Sequence, residues 1–342
     1  YTIPNILNTY IQTSIAYKID EVGNYSKSVN IDRPFFSAFA KWGAGVYVAQ
    51  DFGVDSLPDP TGRYGIQNFK VGTQDAWVGK SLKIFDGDSE EDRTTNFITS
   101  LRFLRRNYTE FPTREYDSLR FFSDERFYLA GFGVTSRKFI QDKYLFNYGI
   151  TEDVAIGKVY ALTVGYQNKN HINRLYLGGR FAFGQYFNWG YFSTNIEYGT
   201  FFRGAITQQS TMSFEINYFT NLIQIGKWRL RQFVKPTVVL GTNRFETVAD
   251  RLTLNDQYGI SGFNSFKLRG TKRALITLQT QSYSPWVFGG FRLNPFLSYA
   301  IGALSDENNN LFNGKAYSQI SVGIMITNDF LVFNNFQLSF SF

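Results

Sequence analysis

The sequence predicts an all-β chain, a transmembrane antiparallel up-and-down β-barrel of about 15–16 strands. Three observations carry that reading. First, aromatic residues make up 18% of the chain, with 36 Phe and 22 Tyr, yet the mean hydropathy is −0.23. A soluble protein this aromatic would need a very large core, whereas a barrel gives one face of each strand to lipid and the other to water. Second, apolar and polar residues alternate with period two nearly end to end, the signature of strands whose successive side chains point to opposite faces. Third, the alternating segments run well past the five or six residues usual in soluble strands, toward the nine to eleven of a tilted spanning strand. No stretch approaches the 18 apolar residues of a spanning helix.

The alternation predicts strands near 8–19, 26–33, 41–50, 69–84, 94–106, 126–149, 155–167, 172–184, 190–203, 205–219, 228–242, 272–283, 286–302, 315–327 and 330–342. Leu175 and Leu177 alternate with Arg174, Tyr176 and Arg180, and Phe214 and Ile216 alternate with Ser213, Glu215 and Asn217. Ile324 and Leu338 belong to the same oily face, and Ser339 to the wet one. Charges stand in mid-strand at Arg180, Glu197, Glu215 and Arg231, as a water-filled interior permits. Trp42, Trp189, Trp228 and Trp286 fall near strand ends, as interfacial girdles do. The segment 126–149 has a polar middle, Thr135 to Lys143, and reads as one overlong strand or as a hairpin. Taken as one strand, it puts the long connections 51–68, 107–125, 243–271 and 303–314 at the same end of the barrel, opposite the tight turns. That sidedness favours the single strand. The count is then odd, so even closure calls for a final strand beyond Phe342. The expected domain is one barrel over 1–342, with periplasmic domains upstream of Tyr1.

Composition narrows the function classes. The chain has no Cys, which excludes disulfides and Cys-ligated metals. The net charge of +7 comes from Lys and Arg scattered singly along strands, which points to a lumen lining and lipid headgroups, not to nucleic acid. The only histidine, His171, sits in a polar turn, and no GxSxG, P-loop or HExxH occurs. Glu152 and Asp153 are adjacent, so they point apart in a strand or turn. The acidic run Asp86–Asp92 reads as a solvated turn. No catalytic residue, cofactor or metal is expected.

One constellation stands out, the longest connection and its exit, 258–271. It combines glycines with a single arginine whose planar fork can clamp carboxylates or carbonyls. A loop of that length in an economical barrel is usually functional or folded inward. Leu268-Arg269-Gly270, with Gly262-Phe263 before it and Ser284-Pro285 closing the next strand, resembles the (Val/Ile/Leu)-Arg-Gly motif of the BamA/TamA superfamily of outer-membrane assembly factors and two-partner secretion transporters, in forms similar to bacterial surface antigens. The resemblance implies an extracellular loop folded back into the lumen, and it places that loop after the eleventh strand, as here. Thr271 follows where the family usually has an aromatic, and Gln279 and Ala300 stand where it tends to carry the acids that hold the arginine. The expected partners of Arg269 are therefore carbonyls, Gln279, or an acid from another strand, Glu215 or Glu197.

The resemblance implies a bacterial outer-membrane barrel that inserts outer-membrane proteins or translocates polypeptide. Its partners would be outer-membrane lipid including lipopolysaccharide, client outer-membrane or secreted polypeptides, and periplasmic or lipoprotein accessory subunits. Two other classes fit the same strands: a passive pore, and a barrel that anchors a separate periplasmic or surface domain.

Overall fold

The computed structural model describes residues 1–145, 149–255, 258–265, 267–328 and 335–342. In chain order the elements are β1 (Thr2–Ile3), β2 (Gln12–Ile19), β3 (Tyr25–Arg33), β4 (Trp42–Pro58), β5 (Tyr64–Lys83), α1 (Glu90–Thr94), β6 (Thr95–Glu110), β7 (Glu125–Lys143) and β8 (Thr151–Lys169). They continue as β9 (Ile172–Phe187), β10 (Gly190–Arg203), β11 (Ile206–Thr220), β12 (Ile223–Ile225), β13 (Trp228–Thr242), β14 (Lys272–Tyr283), β15 (Val287–Phe288), β16 (Phe291–Ser305), β17 (Ala316–Thr327) and β18 (Asn335–Ser341). All lie in one antiparallel meander, each strand beside its neighbours in sequence. β1, β12 and β15 are two- or three-residue pieces; the long strands correspond to the fifteen segments predicted. Among the described residues β18 pairs only with β17, and β2 only with β1 and β3, so no ladder joins the two ends of the sheet. No helix is long and apolar enough to cross a membrane.

Strict alternation of strand direction sorts the connections. Turn 59–63 and loops 111–124, 243–271 and 306–315 share one end, here the loop end, and the N-terminal β1 pairs with the start of β2 at the other. The expected sidedness is therefore present, although three of the four connections are shorter than predicted and only 243–271 keeps its range. β4 and β5 continue as a paired hairpin as far as Pro58 and Tyr64, because ladder bonds satisfy the backbone even where the side chains have become polar. Between β8 and β9 the turn is only Asn170-His171, with φ of 51° and 59°. Two residues at positive φ form the type of turn that matches strand twist, and this accounts for the single histidine. The acidic run does not stay an open turn. Its second half is α1, capped by Ser89, whose hydroxyl accepts the Asp92 N–H at 3.0 Å, with Glu90, Glu91 and Asp92 at the positive end of the helix. The strand predicted at 330–342 is described from Asn335 onward, and residues 329–334, which include its beginning, lie outside the described residues.

Register fixes the faces. Phe214, Ile196, Phe181, Tyr160, Val134 and Phe97 are successive cross-strand partners and form an apolar stripe over β11, β10, β9, β8, β7 and β6. Leu175, Leu177, Ile324 and Leu338 are likewise exposed and apolar. One residue along, Glu215, Asn195 and Ala182 face the other way, and Arg180 meets Glu197 at 3.3 Å. The second face is the inner one, because only there do strands far apart along the sheet touch: Asp142 of β7 reaches Arg231 of β13. Trp42, Trp189, Trp228 and Trp286 all sit at the end opposite the long loops, Trp228 edge-on to Trp286 at 4.8 Å, as a one-sided interfacial girdle.

Candidate functional site in the lumen

Two elements leave the wall and enter the interior from opposite ends. At the loop end the connection 243–271 lies across the inner face. Its first part is held over β9 to β11. The carboxylate of Asp250 accepts Gln209 Nε2 at 3.0 Å and the Phe245 N–H at 2.8 Å, and pairs with Arg244. Arg174 stands over the Phe245 ring at 5.7 Å and donates to Gln209 Oε1 at 2.8 Å. The later part lies over β14, β16 and β17. Leu254 is fully buried against Gly302 and Ile260 is 2% exposed. Gln319 Nε2 donates to the Ser261 carbonyl at 2.5 Å, and the Phe263 ring meets Tyr317 at 5.5 Å. Burying two aliphatic side chains of this size contributes about 1.5–3 kcal/mol each, enough to hold a loop to the wall.

The motif sits where this loop rejoins the sheet. Gly270 and Leu252 exchange backbone hydrogen bonds of 3.0 and 2.7 Å, closing the loop into a bridged lobe. A Cβ on Gly270 would come within 2.6 Å of the Ser305 carbonyl oxygen, so only glycine permits this approach to β16. Arg269 Nη1 donates to the Val248 carbonyl at 3.0 Å and ties the exit of the loop to its entrance. The Leu268 N–H donates to Ser265 Oγ at 3.2 Å, and Gly262 turns the chain at φ 74°. Of the partners expected for Arg269, Gln279 Nε2 donates to Gln281 at 3.4 Å, Glu215 accepts Asn217 at 3.4 Å, and Glu197 is occupied by Arg180 and Asn195. The described bond of the arginine is thus to a carbonyl, one of the alternatives the sequence left open.

The second element was not anticipated. β7 stops pairing with β6 at Ser136, and β8 stops pairing with β9 at Gly157, yet β7 and β8 stay paired to each other through Lys143 and Thr151. The tip of this hairpin therefore stands free of the wall and folds inward. Gly157 makes the bend, with φ 125° and a virtual Cβ only 1.8 Å from the Ser136 carbonyl oxygen. An L side chain there meets both a backbone clash and a conformational penalty.

Inside, the tip is pinned on several sides. Asp142 accepts Arg231 Nη1 at 2.9 Å and the Tyr186 hydroxyl at 2.9 Å. The Tyr283 hydroxyl of β14 is shared between the carbonyls of Tyr144 (2.5 Å) and Leu145 (2.9 Å). Tyr191 donates to the Ala155 carbonyl at 2.7 Å, and Arg229 bonds the Tyr144 hydroxyl with its guanidinium over that ring. Leu145 and Val154 pack into a buried cluster with Tyr191, Phe219 and Phe233. The sequence signal was available in the polar stretch 135–143, too polar on both faces to meet lipid, and in a glycine inside the next strand. The segment 126–149 is one strand as far as Lys143, with no hairpin at 137–142, and residues 146–148 lie outside those described.

No protein-family model matches the chain, and no curated protein matches its sequence. Among solved structures the chain is similar to CdiB from Acinetobacter baumannii, at TM-score 0.44 and 10% identity, over 97% of this chain and 60% of that one. It is also similar to BamA from Haemophilus ducreyi lacking POTRA domains 1–3, at TM-score 0.49 and 11% identity, over 100% of this chain and 62% of that one. The chain thus spans about three-fifths of the length of the solved structures it matches.

Proposed function

We propose that this chain is the barrel of a bacterial outer-membrane protein that inserts other outer-membrane proteins or translocates polypeptide, and that it is not an enzyme. The observation that carries the reading is the loop 243–271 lying on the inner wall, with Leu268-Arg269-Gly270 at its re-entry point and Arg269 bonded to Val248. The sheet supplies a physical route for such work. Edge backbone groups on β2 and β18 that no described strand pairs can template an incoming strand by β-augmentation. The passive-pore reading fits less well, because a permanently open channel needs an unobstructed interior, and here loop 243–271 and the β7–β8 tip both fold inside it against the wall. The long loops then face the cell exterior and the tryptophan end the periplasm. The test is insertion of a urea-unfolded outer-membrane barrel into vesicles containing the intact protein, followed by heat-modifiable gel mobility. Wild type should accelerate insertion, and Arg269→Ala should reduce the acceleration while its own folded mobility persists. A steady ion current with no effect on client insertion would instead establish the pore.

A further inference from the structure

The rim of the wall at the loop end carries a second feature, apart from the lumen loop 243–271. On the inner face near the loop end, Glu125 accepts Gln167 Nε2 at 2.6 Å, and Gln167 Oε1 accepts Arg174 at 2.9 Å. Alternation therefore turns the neighbours Arg105, Arg126 and Asn168 outward, and these are direct cross-strand partners on β6, β7 and β8. Two residues further from the loop end on the same face, Phe103, Tyr128 and Tyr166 are also cross-strand partners, with the Phe103 and Tyr128 rings 5.0 Å apart. A row of arginines thus stands directly beyond a row of aromatics. Aromatic side chains mark the membrane–water boundary, so the guanidiniums lie at headgroup level.

These arginines do not stand alone. Loop 111–124 closes over the rim of the wall at this point, with Phe122 packed on Phe69 and Tyr108, and adds Arg114 and Arg120 to the lining of one cavity, about 730 Å³, that Arg105 and Arg126 also line. Among the described residues none of the four guanidiniums is ion-paired or hydrogen-bonded. The carboxylates nearby are committed elsewhere. Asp117 accepts the Phe121 and Phe122 N–H groups at 2.8 and 2.9 Å, Asp124 accepts the Tyr108 N–H at 2.8 Å, and Glu125 belongs to the inner network. Those bonds fold the loop over the cavity, whose lining sets five guanidiniums, Arg106 among them paired with Glu125 at 4.0 Å, against the carboxylates of Asp117, Asp124 and Glu125, so a net positive charge remains. Like charges around one cavity repel unless an anion sits among them.

We infer that this rim cavity binds the phosphorylated headgroup of an outer-leaflet lipid. Phosphate oxygens match the arginine fork, and more than one phosphate is needed to reach guanidiniums on both wall and loop. The acyl chains would descend over Phe103, Tyr128 and Tyr166. Free polyphosphate has the same oxygen chemistry but no use for the aromatic row, so the two sources separate by experiment. The site is independent of the lumen loop and of the assembly activity, and rests only on the outer-membrane orientation proposed above, with the long loops outside.

The intact protein in nanodiscs, with and without lipid A, examined by native mass spectrometry and titration, provides the test. Wild type should retain lipid A, and R105Q/R126Q on the wall should bind it about a hundredfold more weakly, roughly tenfold per guanidinium lost. R114Q/R120Q, which leaves the wall untouched, should show a comparable loss, so a folding defect in one variant does not decide the matter. Lipid A binding unchanged in both variants would overturn the assignment. So would soluble pyrophosphate binding as tightly as the lipid, since the cavity would then hold a free anion.

Discussion

Asp142 and Arg231, on strands separated along the sheet by β8 to β11, form a two-point ion pair across the lumen, Nη1 to Oδ2 at 2.9 Å and Nη2 to Oδ1 at 3.3 Å. The Arg231 side chain is 2% exposed, and its Nη2 also donates to the Lys143 carbonyl at 3.0 Å. Coulomb attraction here is worth more than on a surface, but Arg231 has lost its water and Asp142 much of it. The pair therefore fixes where the tip sits more than it adds net stability.

Removing Asp142 leaves the buried Arg231 charge stranded, at a cost of about 3–5 kcal/mol, whereas removing Arg231 leaves a carboxylate that water still reaches and costs less. The tip has a cheaper response, which is to leave the lumen and let both groups hydrate. Arg231→Ala and Asp142→Ala should therefore each raise single-channel conductance in planar bilayers, while the double replacement Asp142→Leu/Arg231→Met should keep the tip docked and the conductance low. Equal conductance in all four proteins would mean that the tip does not obstruct the lumen.

A pH prediction concerns the β4–β5 turn. Asp59 is held well below the usual carboxylate range, at about 2, first by the Thr61 hydroxyl at 2.7 Å and then by the N–H groups of Arg63 and Thr61, against the opposing effect of burial. Because the folded pKa lies below the unfolded value of about 3.9, the contribution of this carboxylate to turn stability is complete above about pH 4. It is lost as pH falls from there through about 2. Amide exchange at Thr61 and Arg63 should stay slow to about pH 3 and rise below it, and Asp59→Asn should abolish that acid transition. An exchange profile identical in the two proteins would remove Asp59 as the cause.

Most of the wall was legible in the sequence because period-two alternation is forced wherever one face meets lipid. Phe214 beside Glu215 admits only one orientation, and the register confirms it. The lumen was legible only in part. Leu268-Arg269-Gly270 marked the loop, but that Leu254 would bury against Gly302 depends on a tertiary approach no local pattern encodes. The hairpin tip escaped for a related reason. Pairing of β7 with β8 continues through Gly157, so the alternation looks like one long spanning strand, and the departure from β6 and β9 is a property of the neighbours. The outward arginines were visible singly, yet the pairing of Arg105 with Arg126 needed the register between β6 and β7.

The last prediction tests the assignment of faces on which the rest depends. Phe214 belongs to the apolar stripe, with Ile196 and Val238 as its cross-strand partners, while Ser213 next to it faces inward opposite Glu197. An arginine at the bilayer midplane costs about 2–4 kcal/mol, whereas a lumen position is wet and tolerant. Phe214→Arg should therefore lower the stability of the folded barrel in vesicles by about that amount, read as a shift in the guanidinium chloride midpoint of reversible folding. Ser213→Arg should shift it little, since the new guanidinium can meet the Glu197 carboxylate in water. The two substitutions introduce the same guanidinium one residue apart on opposite faces, so the environment that receives the charge is the main difference between them. If Ser213→Arg proved the more damaging of the two, the stripe carrying Phe214 would have to face water, and the inside and outside of the wall would be exchanged.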